Sequence, residues 1–317
     1  MIFSATLDPL RTLAALVLEA AAGYPNRLHK LIPHPVTWAG RGISFLEQSW
    51  NRPCWPFAIR RGLGVITLLL VAGSAALAGL LLDLCLLRNF WLALITVLLA
   101  TTGLAQRSLY THVSDVSAAL DRNDLEGARR AVSMIVGRDV AALDRSGVAA
   151  AALESLAESF CDGVIAPAFW LFAGGLAGLF AYKAVNTADS LIGHREPRWR
   201  AFGWASARTD DLLNLIPARL AGALLALSAG SGWRVMWRDA GKHASPNAGW
   251  PEAAMAGGLN IQLGGPVAYD GAPYPRPWFG HGARPDEAAL RRGLGVYRRA
   301  CVLFWMFLAA GGMAWQH

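Results

Sequence analysis

The sequence predicts an all-α polytopic integral membrane protein with about five transmembrane helices and helical loops facing the cytoplasm. Three observations carry that prediction. Of 317 residues, 54% are hydrophobic and only 16% charged, whereas an ordinary soluble domain is roughly 25% charged. Mean hydropathy is +0.34. Several runs approach the ~20 uncharged residues that a helix needs to cross hydrocarbon. The 22 acidic and 29 basic residues exceed what a purely spanning bundle carries, so the loops are large enough for chemistry. Disorder, collagen and a soluble nucleic-acid module are excluded. The formal charge of +7 resides in basic residues scattered in ones and twos beside apolar runs, which suits membrane flanks and no nucleic-acid partner.

The first 23 residues carry Asp8, Arg11 and Glu19 and have no basic leader, so they predict an amphipathic or embedded helix, not a signal peptide. Gly62 to Leu82 is uncharged after Arg60 and Arg61 and forms the first span. Phe90 to Ala105 follows a short connection and makes a helical hairpin with it. Residues 163–182 form the third span, broken or kinked by Pro167 and the pair Gly174 and Gly175. Residues 212–230 form the fourth, interrupted by Asn214, Pro217 and Arg219. An ionisable residue at that depth faces a polar cavity or the bundle interior. Residues 300–315 form the last span.

Polar loops then occupy 23–61, 106–162, 183–211 and 231–299, in one membrane-embedded domain over 1–317. Leu125, Ala128, Val132, Ile135, Val136, Val140 and Leu143 recur at helical spacing. Strands are allowed in 258–280. Lys and Arg number six in 23–61, one in 83–89 and six in 106–162, which puts the first and third of these segments in the cytoplasm. Simple alternation puts 183–211 outside, yet that segment has five Lys/Arg. Either the third or the fourth span is then re-entrant. The four cysteines, Cys54, Cys85, Cys161 and Cys301, are dispersed without a CxxC pair and indicate neither zinc nor a disulfide framework.

Four polar clusters are candidates for chemistry. Glu154, Glu158 and Asp162 stand at i, i+4 and i+8 on a strongly helical segment, sharing one face either as a solvated acidic stripe or as a magnesium site. Lys183, Asn186, Asp189, His194, Arg195, Arg208, Asp210, Asp211 and Asn214 crowd the connector between the third and fourth runs. There Arg208 and Arg219 are either interfacial anchors or a clamp for phosphate or carboxylate. Residues 239–252 place His243, Ser245, Asn247 and Glu252 on backbone made irregular by Pro246, Gly249 and Pro251. Pro25, Asn26, His29, Lys30, His34 and Pro35 form a short polar knot near the start. There is no GxxxxGK[ST] phosphate loop and no GxGxxG.

Six ordered segments resemble the CobD/CbiB family of cobalamin biosynthesis, the membrane-bound adenosylcobinamide-phosphate synthases. They are HKLIPHPVTWAGRGI (29–43), ARRAVSMIVGRDVAALD (128–144), ESLAESFCDGVIAPAFW (154–170), YKAVNTADSLIGHR (182–195), FGWASARTDDLLNLIPARL (202–220) and SPNAGWPEAAMAG (245–257). Ser159, Phe160 and Cys161 depart from the family's usual Asn-Thr-Ser, which bears on the role of position 159. The resemblance implies ATP-dependent amide formation between the propionate of (adenosyl)cobyric acid and (R)-1-amino-2-propanol or its O-phosphate, through an acyl phosphate.

It further implies a multi-pass protein of the inner membrane, in contact with lipid, and is compatible with a homo-oligomer. Glu154, Glu158 and Asp162, with Asp210 and Asp211, then serve the ATP-phosphate end, and Glu154, Glu158, Asp162 and Asp211 hold Mg²⁺. Lys183, Arg195, Arg208 and Arg219 neutralise charge during phosphoryl transfer. Asp189 belongs to the same catalytic group. His34 or His243 deprotonates the ammonium nucleophile, and Ser245, Asn247 and Trp250 seat the corrin or the aminopropanol phosphate. The related AmpE-type membrane proteins supply the alternative, a non-catalytic signalling or sensor protein. A corrinoid or anion transporter is disfavoured because no inverted repeat is visible.

Overall fold

The computed structural model describes residues 4–23, 34–269 and 272–315. His29 and most of the polar knot around it lie outside them. The chain divides into two compact units, one drawn from Met1–Ala105, Ala166–Asn214 and Leu308–His317, the other from Gln106–Ile165 and Leu215–Phe307. Four helices are long and apolar enough to cross a membrane, Phe57–Leu86, Phe90–Asp121, Arg145–Ile192 and Glu287–Ala314, and five if a bent pair, Trp204–Leu213 with Leu215–Ala229, counts as one span. The expected spans 62–82, 90–105 and 163–182 fall within the first three, 300–315 overlaps the last to within a residue, and 212–230 overlaps the bent pair.

The first unit is built on α1 (Pro9–Ala22), α2 (Pro35–Trp50), α3 (Phe57–Leu86) and α4 (Phe90–Thr101). The second opens with α5 (Gln106–Asp121), α6 (Leu125–Ser133) and α7 (Arg145–Phe160), followed by a π-helical turn at Cys161–Ile165. The first unit resumes with α8 (Ala166–Ile192) and α9 (Trp204–Leu213). The second is completed by α10 (Leu215–Ala229), α11 (Trp233–Asp239), a 3₁₀ turn at Ala240–Lys242, α12 (Gly249–Leu259) and most of α13 (Glu287–Trp315).

Between α12 and α13 lie β1 (Leu263–Gly264), β2 (Val267–Tyr269), β3 (Ala272–Tyr274) and β4 (Trp278–Phe279). β1 pairs antiparallel with β4 through Leu263 opposite Phe279, and β2 with β3 through Val267 opposite Tyr274.

In the first unit α3 meets α8 at backbone distance. A Cβ on Gly79 would lie 2.4 Å from the Leu176 carbonyl carbon, so only glycine permits this approach, as is common between membrane helices. The expected break in the third span occurs at Gly174 and Gly175, where φ of Gly175 is +60°. That break strands the amide of Leu176, and Asp83 Oδ2 of α3 accepts it at 2.8 Å. Asp83 Oδ1 pairs with Arg11 Nη2 of α1 at 2.5 Å. The predicted N-terminal helix is therefore embedded, with Arg11, Ala15, Leu16 and Glu19 buried. Ile43, Leu68, Val185, Ile192 and Phe202 form a hydrophobic core of this unit.

In the second unit α7 is buried along nearly its whole length, from Gly147 to Ala157 and again at Phe160. Phe160 packs edge-on against Tyr297, whose hydroxyl donates to the Gln106 carbonyl at 2.9 Å. The apolar period predicted from Leu125 onward is helical only to Ser133. Ile135 to Leu143 leave the helix because they form a connection instead: Ser155 Oγ donates to the Ile135 carbonyl at 2.8 Å. That loop delivers Arg138 to α7.

Candidate functional site

In the second unit a chain of polar contacts runs between α7, the 239–252 segment, α10 and the β1–β4 ladder. Glu154 is 6% exposed. Its Oε2 receives Arg138 Nη2 at 2.9 Å and Arg276 Nη1 at 3.1 Å, and its Oε1 receives the Gly264 amide at 2.8 Å. Gly264 presents that amide from left-handed backbone, φ +78°. A Cβ there would fall 2.3 Å from the Pro277 carbonyl oxygen, so the position requires glycine. Arg276 also reaches Glu252 with Nη2, at 3.3 Å.

Glu252 is buried on α12. Its carboxyl is pushed well above the usual range, by burial first and by the negative charge of Glu154 next, against the nearby arginines. His243 Nε2 lies 3.8 Å from Glu252 Oε2, and its Nδ1 accepts the Ser245 amide at 2.9 Å. In the neutral ring that acceptor role puts the proton on Nε2, toward the carboxyl.

Ser245 Oγ in turn accepts the Asn247 amide at 3.2 Å. Asn247 Oδ1 takes Arg219 Nη1 at 3.1 Å, and the Arg219 guanidinium stacks 4.7 Å from the Trp250 ring. Asp239 holds the turn before His243. It is fully buried, receives Arg238, Lys242 Nζ at 2.7 Å and the Gly280 amide at 2.9 Å, and is held below the usual carboxylate range chiefly by Arg238.

Beside this network is a polar cavity of about 160 Å³, lined by Arg138, Glu154, Ser155, Glu158, Ser159 and Arg276. The acidic stripe does not present three equivalent carboxylates. Glu154 is buried in ion pairs, Glu158 is exposed, and Asp162 is half-buried on the π turn, whose wider winding departs from the α-helical repeat that the i, i+8 spacing assumes. Among the described residues no group of three or more His, Cys, Asp and Glu side chains converges to hold a metal ion alone.

The first unit has its own polar centre. Asp210 accepts Asn186 Nδ2 at 3.2 Å and Asn214 Nδ2 at 3.0 Å. Asn214 Oδ1 accepts the Tyr182 hydroxyl at 3.0 Å, and Lys183 Nζ donates to Asn186 Oδ1 at 3.3 Å. Asp211 is 3.8 Å from Arg208 on the outer side of α9. Asp189 is half-buried and Arg195 exposed. His34 caps α2, its Nδ1 accepting the Val36 amide at 3.3 Å.

Asp210 thus pairs with Asn214 at the expected spacing, and His243, Ser245, Asn247 and Trp250 come together with Arg219, which the sequence groups with Arg208 instead, a residue that lies beside Asp211. Reasoning from sequence missed Arg138 and Arg276 altogether. Arg138 stands in GRD, inside a segment read as amphipathic helix. Arg276 stands between Pro275 and Pro277 in the polar loop 231–299, within the stretch where strands are allowed, and a lone arginine between two prolines is the one signal available.

These features define a polytopic α-helical membrane protein with a buried arginine–carboxylate network that runs up to a histidine. More particularly, the chain belongs to the CobD/CbiB family, whose model, described as CobD/Cbib protein, matches residues 12–297. It is 48% identical over 307 residues to the cobalamin biosynthesis protein CobD of Rhodobacter capsulatus, covering 95% of this chain and 96% of that one. It is 45% identical over 315 residues to the protein of the same name from Sinorhizobium sp, covering 94% and 96%. To that of Rhizobium meliloti (strain 1021) it is 44% identical over 309 residues, covering 93% and 94%. No solved structure matches the chain.

Proposed function

We propose that the protein is an enzyme of cobalamin biosynthesis in the inner membrane. In this reading it uses ATP to join (R)-1-amino-2-propanol or its O-phosphate to the propionate of (adenosyl)cobyric acid. The observation that carries the chemistry is the paired guanidinium of Arg138 and Arg276 on the wall of a polar cavity, at the end of a network that begins at His243. Amide formation at neutral pH needs an activated carboxylate, and phosphorylation of the propionate supplies it. Two fixed arginines suit phosphate oxygens, because planar N–H forks match them and need no reorganisation as charge develops.

In the same reading His243 takes the proton of the incoming ammonium. The basic lone pair of the neutral ring is the one on Nδ1, so the Ser245 amide has to release it for the proton to arrive there, while Nε2–H stays directed toward the Glu252 carboxyl. Arg219 on Trp250, with Asn247 and Ser245, offers a flat cationic and amide surface suited to the amide-fringed corrin or to the aminopropanol phosphate. Mg²⁺ fits as the companion of ATP phosphates, since it commonly binds one or two carboxylates and keeps phosphate and water ligands. Glu158 is the carboxylate of the stripe that lines the cavity in the open, and Asp162 follows it; bound there, the ion would neutralise phosphate charge.

The test is detergent-purified protein with cobyric acid, aminopropanol phosphate or aminopropanol, ATP and Mg²⁺, following product mass and phosphate release. Amide product with stoichiometric phosphate, lost in Arg276→Ala, supports the reading. Folded protein that gives no product with either amine refutes it and favours the non-catalytic AmpE-like alternative.

A further inference from the structure

Away from that network, the second unit carries a basic pocket of about 620 Å³ on the outer face of α13, with Ala229 at the end of α10 and Gly258 in α12 forming its other wall. Arg291, Arg292 and Arg299 line it. Arg291 pairs with Asp121, and Arg299 Nε donates to the Ser228 carbonyl at 2.9 Å, which leaves the two terminal nitrogens of Arg299 beyond that bond. Arg292 makes no ion pair or hydrogen bond among the described residues. Nothing in the amide-forming chemistry uses these side chains.

The helix repeat extends this feature. Ala288, Arg292, Gly295, Arg299, Val302 and Met306 follow one another at intervals of four, three, four, three and four, so they share one face of α13. The small residues Ala288 and Gly295 open the pocket, and a Cβ on Gly295 would meet nothing closer than Arg299 Nη1 at 3.5 Å. Beyond Arg299 the same face becomes apolar and stays exposed, Val302 at 47% and Met306 at 55%, with Phe307 beside them at 54%. This helix is long and apolar enough to cross a membrane. From Arg299 to Met306 it rises roughly 10 Å, within the ~15 Å of hydrocarbon in one leaflet.

We infer that this face binds an anionic glycerophospholipid, with its phosphate on Arg292 and Arg299 and its acyl chains along Val302, Met306 and Phe307. A free phosphate ester would need the arginines alone. The apolar continuation on the same stripe is what a lipid adds, and basic pockets at membrane-helix ends are suited to such headgroups. Trp233, at the start of α11 and 40% exposed, follows Gly232, where a Cβ would lie 2.8 Å from the Gly258 amide nitrogen, and is an aromatic of the kind that membrane interfaces favour.

The test uses the full chain, delipidated in neutral detergent, with bound molecules counted by native mass spectrometry. Phosphatidylglycerol, phosphatidylcholine and glycerol 3-phosphate are titrated separately and in competition. Phosphatidylglycerol is expected to bind roughly tenfold tighter than phosphatidylcholine, and Arg292→Ala with Arg299→Ala to weaken it roughly ten- to thirtyfold. Arg130→Ala, on exposed α6, leaves it unchanged. Gly295→Leu fills the pocket but keeps every arginine and is expected to give the same loss, which keeps the inference testable if the double variant does not fold. Equal binding of the two lipids, or unaltered phosphatidylglycerol binding in either pocket variant, overturns the inference. Competition by glycerol 3-phosphate at equal concentration would assign the pocket to a soluble phosphate ester and overturn it as well.

Discussion

Replacing Asp83 removes two things at once, the counter-ion of Arg11 and the acceptor for the amide that the Gly174–Gly175 break leaves open. Arg11 is 1% exposed and Asp83 3%. Removing one partner of a buried pair typically costs 3–5 kcal/mol because the other charge stays buried. An orphaned buried amide adds about 1–3 kcal/mol. Since the two share one carboxylate they do not simply add, and Asp83→Ala should cost about 4 kcal/mol or more.

Asp83→Asn keeps an oxygen for Leu176 but not the charge and should cost about 3 kcal/mol. Arg11→Met in that background removes the uncompensated charge and should recover about 2 kcal/mol of it, since apolar replacement of a buried pair is often neutral or better. Unfolding in mixed micelles at increasing SDS fraction, followed by far-UV circular dichroism, gives the order directly. The reasoning is refuted if the double variant is no more stable than Asp83→Asn, or if Asp83→Ala costs less than about 1 kcal/mol.

Gly79→Ala puts a methyl where the Leu176 backbone already sits and should cost about 1–3 kcal/mol by overpacking, read in the same unfolding assay, whereas Gly73→Ala, open within 4 Å, should not. Arg276→Ala leaves Glu154 and Glu252 facing each other without their shared cation; it should destabilise by about 3 kcal/mol as well as abolish the proposed amide formation, and Arg276→Lys should restore more stability than turnover because one ammonium cannot bridge both carboxylates as a fork does. The Glu252 carboxyl is raised in the folded protein, so the native state holds more protons than the unfolded one above the ordinary carboxylate range. Stability therefore falls as pH rises through that window, and Glu252→Gln should flatten the fall, leaving the two proteins alike in acid and the variant the more stable in alkali. Asp239 has the opposite sign: its carboxyl is lowered, its contribution is present at neutral pH and lost on acidification, and Asp239→Asn should remove that acid-side decline in a pH series of unfolding midpoints.

Hydropathy made the spans legible because the bilayer imposes a length and forbids charge, and both leave traces in a single sequence. Gly174 and Gly175 could be read as a break for the same reason. What repairs the break could not be read, since Asp83 lies 93 residues from Leu176 and nothing near it in the sequence points to that amide. The candidate site divides along the same line. Asp210 with Asn214, and His243 through Trp250, are local in sequence, so spacing and turn chemistry found them. Glu154 was found too, but its surroundings were not: its partners are Arg138 on an irregular loop and Arg276 122 residues away.

The stripe Glu154, Glu158 and Asp162 shows how far periodicity can mislead when burial is unknown. Equal spacing suggested equal roles, yet Glu154 lies within the buried stretch of α7, Glu158 is in the open, and the winding changes at Cys161. A carboxylate already neutralised by two guanidinia and an amide has little capacity left for a cation, whereas Glu158 stands exposed at the cavity wall. The division of labour among the three therefore follows from depth, and it predicts unequal alanine phenotypes: Glu154→Ala should lower stability, leaving Arg138 and Arg276 unpaired in the core, while Glu158→Ala should leave the unfolding midpoint in place and reduce turnover. Equal losses of stability for both would mean that depth does not separate them.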